Sequence, residues 1–139
     1  MNVFLDTSVL LSACGSVGGA SRELFRRAPA NHWVLMATPY VVEEVLRNLS
    51  HLPPVASSDW DVLRNQLALM PDVFTVDRPV IFEPGKGRPI LFSALAWADI
   101  LVTLDQADFG GLMDKPFYGL RVVRPGAFLE AERSAGRMA

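Results

Sequence analysis

The chain has 139 residues, half of them apolar, with 13 Lys and Arg against 15 Asp and Glu and a formal charge of −2. That length and composition fit one folded domain and exclude a disordered chain; area scaling gives about 22,000 Å² unfolded and about 7,000 Å² folded, enough burial for an unaided core. The even charge balance excludes nucleic-acid binding by a bulk basic excess, while a mean hydropathy of +0.24 is high for a small monomer and points to apolar surface covered by a partner.

A short apolar run at 3–5 stops at Asp6, and Val9, Leu10 and Leu11 then continue an apolar pattern with Thr7 or Ser8 placed to cap a helix. Cys14 is the single cysteine, so no intrachain disulfide or cysteine-based zinc site is open to this chain, and with only His32 and His51 a histidine-rich metal site is excluded as well. Residues 15–19 form a glycine-rich connector without the Gly-Lys-Ser/Thr ending of a phosphate loop. An amphipathic helix over 21–27 is expected to end near Pro29. Residues 33–37 read as a buried parallel strand, and Thr38 is placed to cap a helix that has Pro39 at its first position. Its apolar face is Val41, Val42, Val45, Leu46 and Leu49. After Pro53 and Pro54, Ser57 or Ser58 opens a helix running through Trp60, Leu63 and Leu67 to Pro71, and 73–76 read as a strand.

A loop over 77–88 leads to a helix opened by Pro89, then strands at 100–104 and 120–123 and a last helix at 126–133. The order β-α-α-β-α-α-β-α-β-β-α predicts an α/β fold, a three-layer α/β/α sandwich around a mostly parallel sheet of four to five strands. One domain over 1–133 and a flexible tail over 134–139 are expected. The longest apolar stretch, 89–104, is cut by Asp99, and the N-terminus lacks the basic flank of a signal peptide. No membrane segment is predicted, and a cytoplasmic location is the default. Trp33, Trp60 and Trp97 lie on apolar patterns and are assigned to packing; both histidines are assigned to the surface.

Asp6 directly follows one predicted strand and Asp105 another, and in an open α/β sheet ligands bind beyond the carboxyl ends of the strands. Two acids at equivalent places, with Asp108 three residues on, point to one shared crevice. Such a cluster is stable at neutral pH only if it is neutralised by protons or by cations. The matching cations are Mg²⁺ or Mn²⁺, hard ions that prefer carboxylate and water oxygen and activate water against a phosphodiester.

Four segments then carry a resemblance: Val3-Phe4-Leu5-Asp6-Thr7-Ser8, Thr38-Pro39-Tyr40-Val41-Val42-Glu43-Glu44 with Asn48 after it, Arg88-Pro89-Ile90-Leu91, and Leu101-Val102-Thr103-Leu104-Asp105-Gln106-Ala107-Asp108-Phe109. In this order and spacing, over residues 3–128, the chain resembles the PIN domain family, the VapC-like toxin ribonucleases of bacterial toxin–antitoxin systems. The resemblance implies a parallel sheet covered on both sides and a metal-dependent RNA hydrolase. Asp6, Glu44, Asp105 and Asp108 would be the metal ligands, with Asp6, Glu44 and Asp105 as the catalytic set. Thr7 or Ser8 would support the metal or its water, and Asn48 would touch substrate or a bound water. Glu43 is the weaker stand-in for Glu44, because it points about 100° away around the helix. The implied partners are RNA, a cognate antitoxin and a second copy of the chain, with the helical region at 55–69 as part of the covering surface.

The chain departs from the family pattern at Gly87, two residues before Pro89, where an Asp is usual. Asp99, Asp108 and Glu83 are the candidates for compensation, with Asp99 expected at the wrong, amino end of the sheet. The alternative reading is therefore a weakened or inactive PIN module that binds RNA or a partner protein without cutting. A phosphatase of haloacid-dehalogenase type also places Asp after its first strand, but needs a second acid where this chain has Ser8. Arg22, Arg26, Arg27 and Arg47 are either flanks of an RNA path or a solvated helix face.

Overall fold

A computed structural model describes residues 1–76, 82 and 87–139. The described elements are β1 (Asn2–Leu5), α1 (Thr7–Gly15), α2 (Ala20–Asn31), β2 (Val34–Ala37), α3 (Pro39–Asn48), α4 (Val55–Leu63), β3 (Ala68–Leu69), α5 (Arg88–Trp97), β4 (Ile100–Val102), α6 (Gln106–Phe109), β5 (Arg121–Val123) and α7 (Pro125–Ser134), with short 3₁₀ turns after α3, α4 and α6. The five strands form one sheet in the order β3-β2-β1-β4-β5, and every pairing is parallel. The α/β architecture expected from the alternation of strands and helices is thus present.

Parallel strands joined by helices are covered on both faces, so their sequences are continuous apolar runs. Val3, Phe4 and Leu5 are fully buried, as are Leu101 and Val102, and β1 runs between β2 and β4 at the centre of the sheet. The accessible surface is 7283 Å², close to the area scaling. Trp60 is buried, and Trp33 packs edge-on against Phe128 with ring centres 4.9 Å apart. Among the described residues, no helix is long and apolar enough to cross a membrane.

Four expectations fail locally. The strand expected at 73–76 is irregular, because the position beside β2 is filled earlier: Ala68 and Leu69 pair with Met36 and Ala37, and the Met70 N–H continues the ladder to the Ala37 carbonyl at 2.9 Å. The helix expected to reach Pro71 accordingly stops at Leu63. The helix at 21–27 extends through Pro29 to Asn31, anchored by buried Leu24, Phe25 and Ala28, and ends where His32 turns left-handed at φ 56°. Thr38 makes no side-chain cap on α3; the Asp72 carboxylate instead accepts the Tyr40 N–H at 3.1 Å. The expected loop at 77–88 lies largely outside the described residues. Residues 134–139 turn back on α2, where the Ala139 N–H donates to Asn31 Oδ1 at 2.7 Å.

Candidate active site

The carboxyl ends of β1 and β4 lie side by side, and the Asp6 N–H donates to the Val102 carbonyl at 3.0 Å. Asp6 is the N-cap of α1, a position that short polar side chains favour because they accept first-turn N–H groups. Its Oδ1 accepts the Thr7 N–H at 2.7 Å; its Oδ2 accepts the Ser8 hydroxyl at 2.9 Å and the Thr103 hydroxyl at 2.6 Å. Those two hydroxyls in turn accept backbone N–H groups beyond β4, Ser8 from Leu104 and Thr103 from Asp105, each at 3.0 Å. The buried carboxylate therefore fixes the chain that carries the second acid. Asp105 Oδ1 accepts the Asp108 N–H at 2.9 Å, which closes the first turn of α6.

Glu44 comes in from α3, where its Oε1 accepts the Thr7 hydroxyl at 2.8 Å. A crevice of about 230 Å³ brings together Asp6, Thr7, Ser8, Glu44, Asn48, Asp105 and Asp108, with Leu11, Gly87, Ile90 and Phe109 completing its wall. All seven residues assigned to the site from sequence line it. Asn48 donates its amide back to the Glu44 carbonyl at 2.8 Å. Glu43 lies outside the crevice, 3.8 Å from Arg47 at the surface. Asp99 sits at the amino end of β4, accepting the Asn2 N–H at 2.8 Å; Glu83 lies outside the described residues.

Burial raises the Asp6 pKa above the ordinary carboxylate value: desolvation outweighs the hydrogen bonds from Thr103, Ser8 and Thr7, and the nearby Glu44 charge pushes the same way. The donors are all hard oxygens, the set that suits Mg²⁺ or Mn²⁺. Among the described residues no three Asp, Glu, His or Cys side chains form a ready-made metal cluster. Burial also pushes the Cys14 thiol up to about 11, so it is no nucleophile.

Sequence reasoning missed Thr103, which is fully buried and joins the two acids through one hydroxyl. The available signal was its place two residues before Asp105, at the end of a buried strand where a hydroxyl needs a partner. Position 87 is also more than a missing acid. A Cβ at Gly87 would stand 2.9 Å from Phe82 Cε1 and 3.1 Å from Phe109 Cζ. Phe82 and Phe109 are stacked with ring centres 5.4 Å apart, and the Phe82 carbonyl is held by Arg88 Nε at 2.7 Å. The arginines proposed as flanks are engaged: Arg22 with Asp59 at 2.8 Å, Arg26 and Arg27 with Glu23, and Arg47 with Glu43. That favours the solvated-face reading.

No protein-family model matches the chain, and no curated protein matches it. Among solved structures it is similar to a chain of VapBC2 from Rickettsia felis, whose crystal structure holds it bound to a DNA fragment from their promoter. Identity is 16%, the alignment covers 88% of this chain and 98% of that chain, and the TM-score is 0.61. At that identity the likeness is one of fold alone, and it is the α/β fold expected from the sequence that this chain shares with the VapBC2 chain.

Proposed function

We propose that this PIN-like chain is a Mg²⁺- or Mn²⁺-dependent ribonuclease that hydrolyses RNA phosphodiester bonds, and that it acts as the toxin of a toxin–antitoxin pair. The observation that carries the reading is the convergence of Asp6, Glu44, Asp105 and Asp108 on one crevice at the carboxyl edge of the sheet. The structural neighbour is a toxin–antitoxin complex on DNA, which supports an antitoxin as partner here. Leu46, Val55 and Val62, each more than half exposed on α3 and α4, are apolar surface for such a partner or for a second copy.

Asp6, Glu44, Asp105 and Asp108 would hold the cation, which when bound supplies a Lewis acid that lowers the pKa of water and offsets phosphate charge. The chain's own part is to hold oxygen atoms in place. The Ser8 and Thr103 hydroxyls keep Asp6 in one orientation, and the Thr7 hydroxyl keeps Glu44 turned toward α1. Fixed donors of this kind need no reorganisation as charge develops in the transition state. Cleavage of a labelled RNA in Mn²⁺ tests the reading: Asp6→Asn and Asp105→Asn should each lose more than about 100-fold, beyond what removal of a supporting group costs. Cleavage by Asp6→Asn at the rate of the unaltered protein would overturn it.

Gly87 favours a second reading, a module that binds RNA or a partner protein without cutting, because the place of the usual acid is filled by Phe82 and Phe109. Under that reading calorimetry finds no Mn²⁺ binding to the unaltered protein, and RNA is bound but not cut.

A further inference from the structure

On the other side of α1 from the acid crevice lies a second cavity, of about 370 Å³, whose wall includes Ser12, Ala20, Ser21, Arg124, Gly126 and Ala127. Two helix N-termini meet here. Ala20 and Ser21 begin α2, and Gly126 and Ala127 follow Pro125 in the first turn of α7. Neither helix has a side-chain cap, and among the described residues the N–H groups of these four residues have no backbone acceptor. First-turn N–H groups lack intrahelical partners and carry the positive end of the helix dipole. The two ends approach over small side chains only: a Cβ on Gly126 would be 4.0 Å from that of Ala20.

Two side chains add to these backbone donors. Ser21 is 3% exposed, lines the cavity, and its hydroxyl makes no hydrogen bond among the described residues. Arg124 is exposed and has no ion pair among them. Among the described residues no acidic one lines the cavity. Among the described residues it offers first-turn N–H donors, the Ser21 hydroxyl and the Arg124 guanidinium, the chemistry of an anion site.

We propose that this cavity is a subsite for a backbone phosphate of the RNA strand that enters the acid crevice. The proposal rests on the nuclease reading above and deepens it. The two cavities share their dividing wall: Leu11 and Asp105 line the crevice, while Ser12 and Leu104, their chain neighbours, line the subsite. An acidic crevice repels a polyanion, and a positive site beyond their shared wall holds the strand against that repulsion. The strand is recognised through its phosphate, without regard to base.

Two measurements on the full chain test the subsite, with Asp6→Asn as the non-cutting background for RNA binding. Titration with inorganic phosphate, followed by amide NMR, should shift Ala20, Ser21, Gly126 and Ala127 saturably, and Ala127→Glu should abolish the shifts. That substitution places an internal carboxylate at the first turn of α7, which favours the helix, so its melting temperature should be unchanged or raised. Arg124→Gln and Ala127→Glu should each weaken binding of a labelled single-stranded RNA by about tenfold and reduce the salt slope by about 0.7, the signature of one lost phosphate contact. Unmoved amides, or RNA affinity indifferent to both substitutions, overturns the subsite; so does phosphate binding at these amides by a protein that binds no RNA. Cleavage by the otherwise unaltered chain, and its loss in Asp6→Asn, reports on the acid crevice alone, so failure of the nuclease reading is seen separately.

Discussion

Asp6 accepts three hydrogen bonds and caps a helix, two circumstances that favour a carboxylate, yet burial beside Glu44 still raises its pKa above 3.8. An acid whose folded-state pKa is raised opposes folding when ionised. The penalty is absent below the unfolded value, grows as pH rises through the folded pKa, and is complete above it. Asp6→Asn should therefore melt higher than the unaltered protein at pH 8 in chelator, by about 1 kcal/mol, the usual gain from relieving a functional constraint. The difference should close toward pH 4, and thermal melts across that range check it. Thr103 supports both acids through one oxygen, so Thr103→Val should lower cleavage by about 10- to 100-fold, as loss of a ligand's support does. Steady-state rates with a labelled RNA measure the loss, while an unchanged fold by circular dichroism separates it from unfolding.

At the scale of elements, the entry to α5 explains how the chain differs from the pattern it resembles. Gly87 has φ −81°, a backbone any residue adopts, so its side-chain freedom is limited by the two phenylalanine rings. Gly87→Asp should cost about 1–3 kcal/mol by overpacking, and Phe82→Leu in the same chain should recover part of that loss; urea melts of the single and double variants measure both. Sequence made the missing acid visible but not the rings, because the contacts of Phe82 and Phe109 with Gly87 follow no periodicity. The same limit explains β3. A two-residue strand has too little pattern to be seen, whereas 73–76, with Val73, Phe74 and Val76, has a strand's composition but finds the place beside β2 already held by β3. Strands with continuous apolar runs, β1, β2 and β4, were legible because burial on both faces writes itself into every residue. Asp6 and Asp105 were legible for a related reason, each being an acid directly after an apolar run that fixes its place at a strand end, whereas Glu44 was reached only through the family resemblance. Thr103 was not, since a hydroxyl at a strand end is common and only the neighbouring strand shows what it holds.

The whole molecule concentrates charge that its composition hides. A chain of net charge −2 places four carboxylates around about 230 Å³, and the sheet order makes this unavoidable: β1 and β4 are neighbours, so their terminal acids share one edge, and α3 crosses to add a third. Folding without cations works against that concentration, so an ion that binds only the folded crevice should stabilise the entire domain. At a free concentration 100 times its Kd the gain is about 2.7 kcal/mol, roughly 8 °C in Tm for a chain of this size. Because the raised pKa of Asp6 lets protons compete with the ion, the Mg²⁺- or Mn²⁺-induced rise should be full at pH 8 and smaller at pH 5. Asp6→Asn, already relieved of the buried charge, should melt higher than the unaltered chain in chelator and gain little from the ion. A calorimetric scan of both chains with and without Mn²⁺ at the two pH values reads all of these shifts together. Equal gains in both chains would show that the ion binds elsewhere.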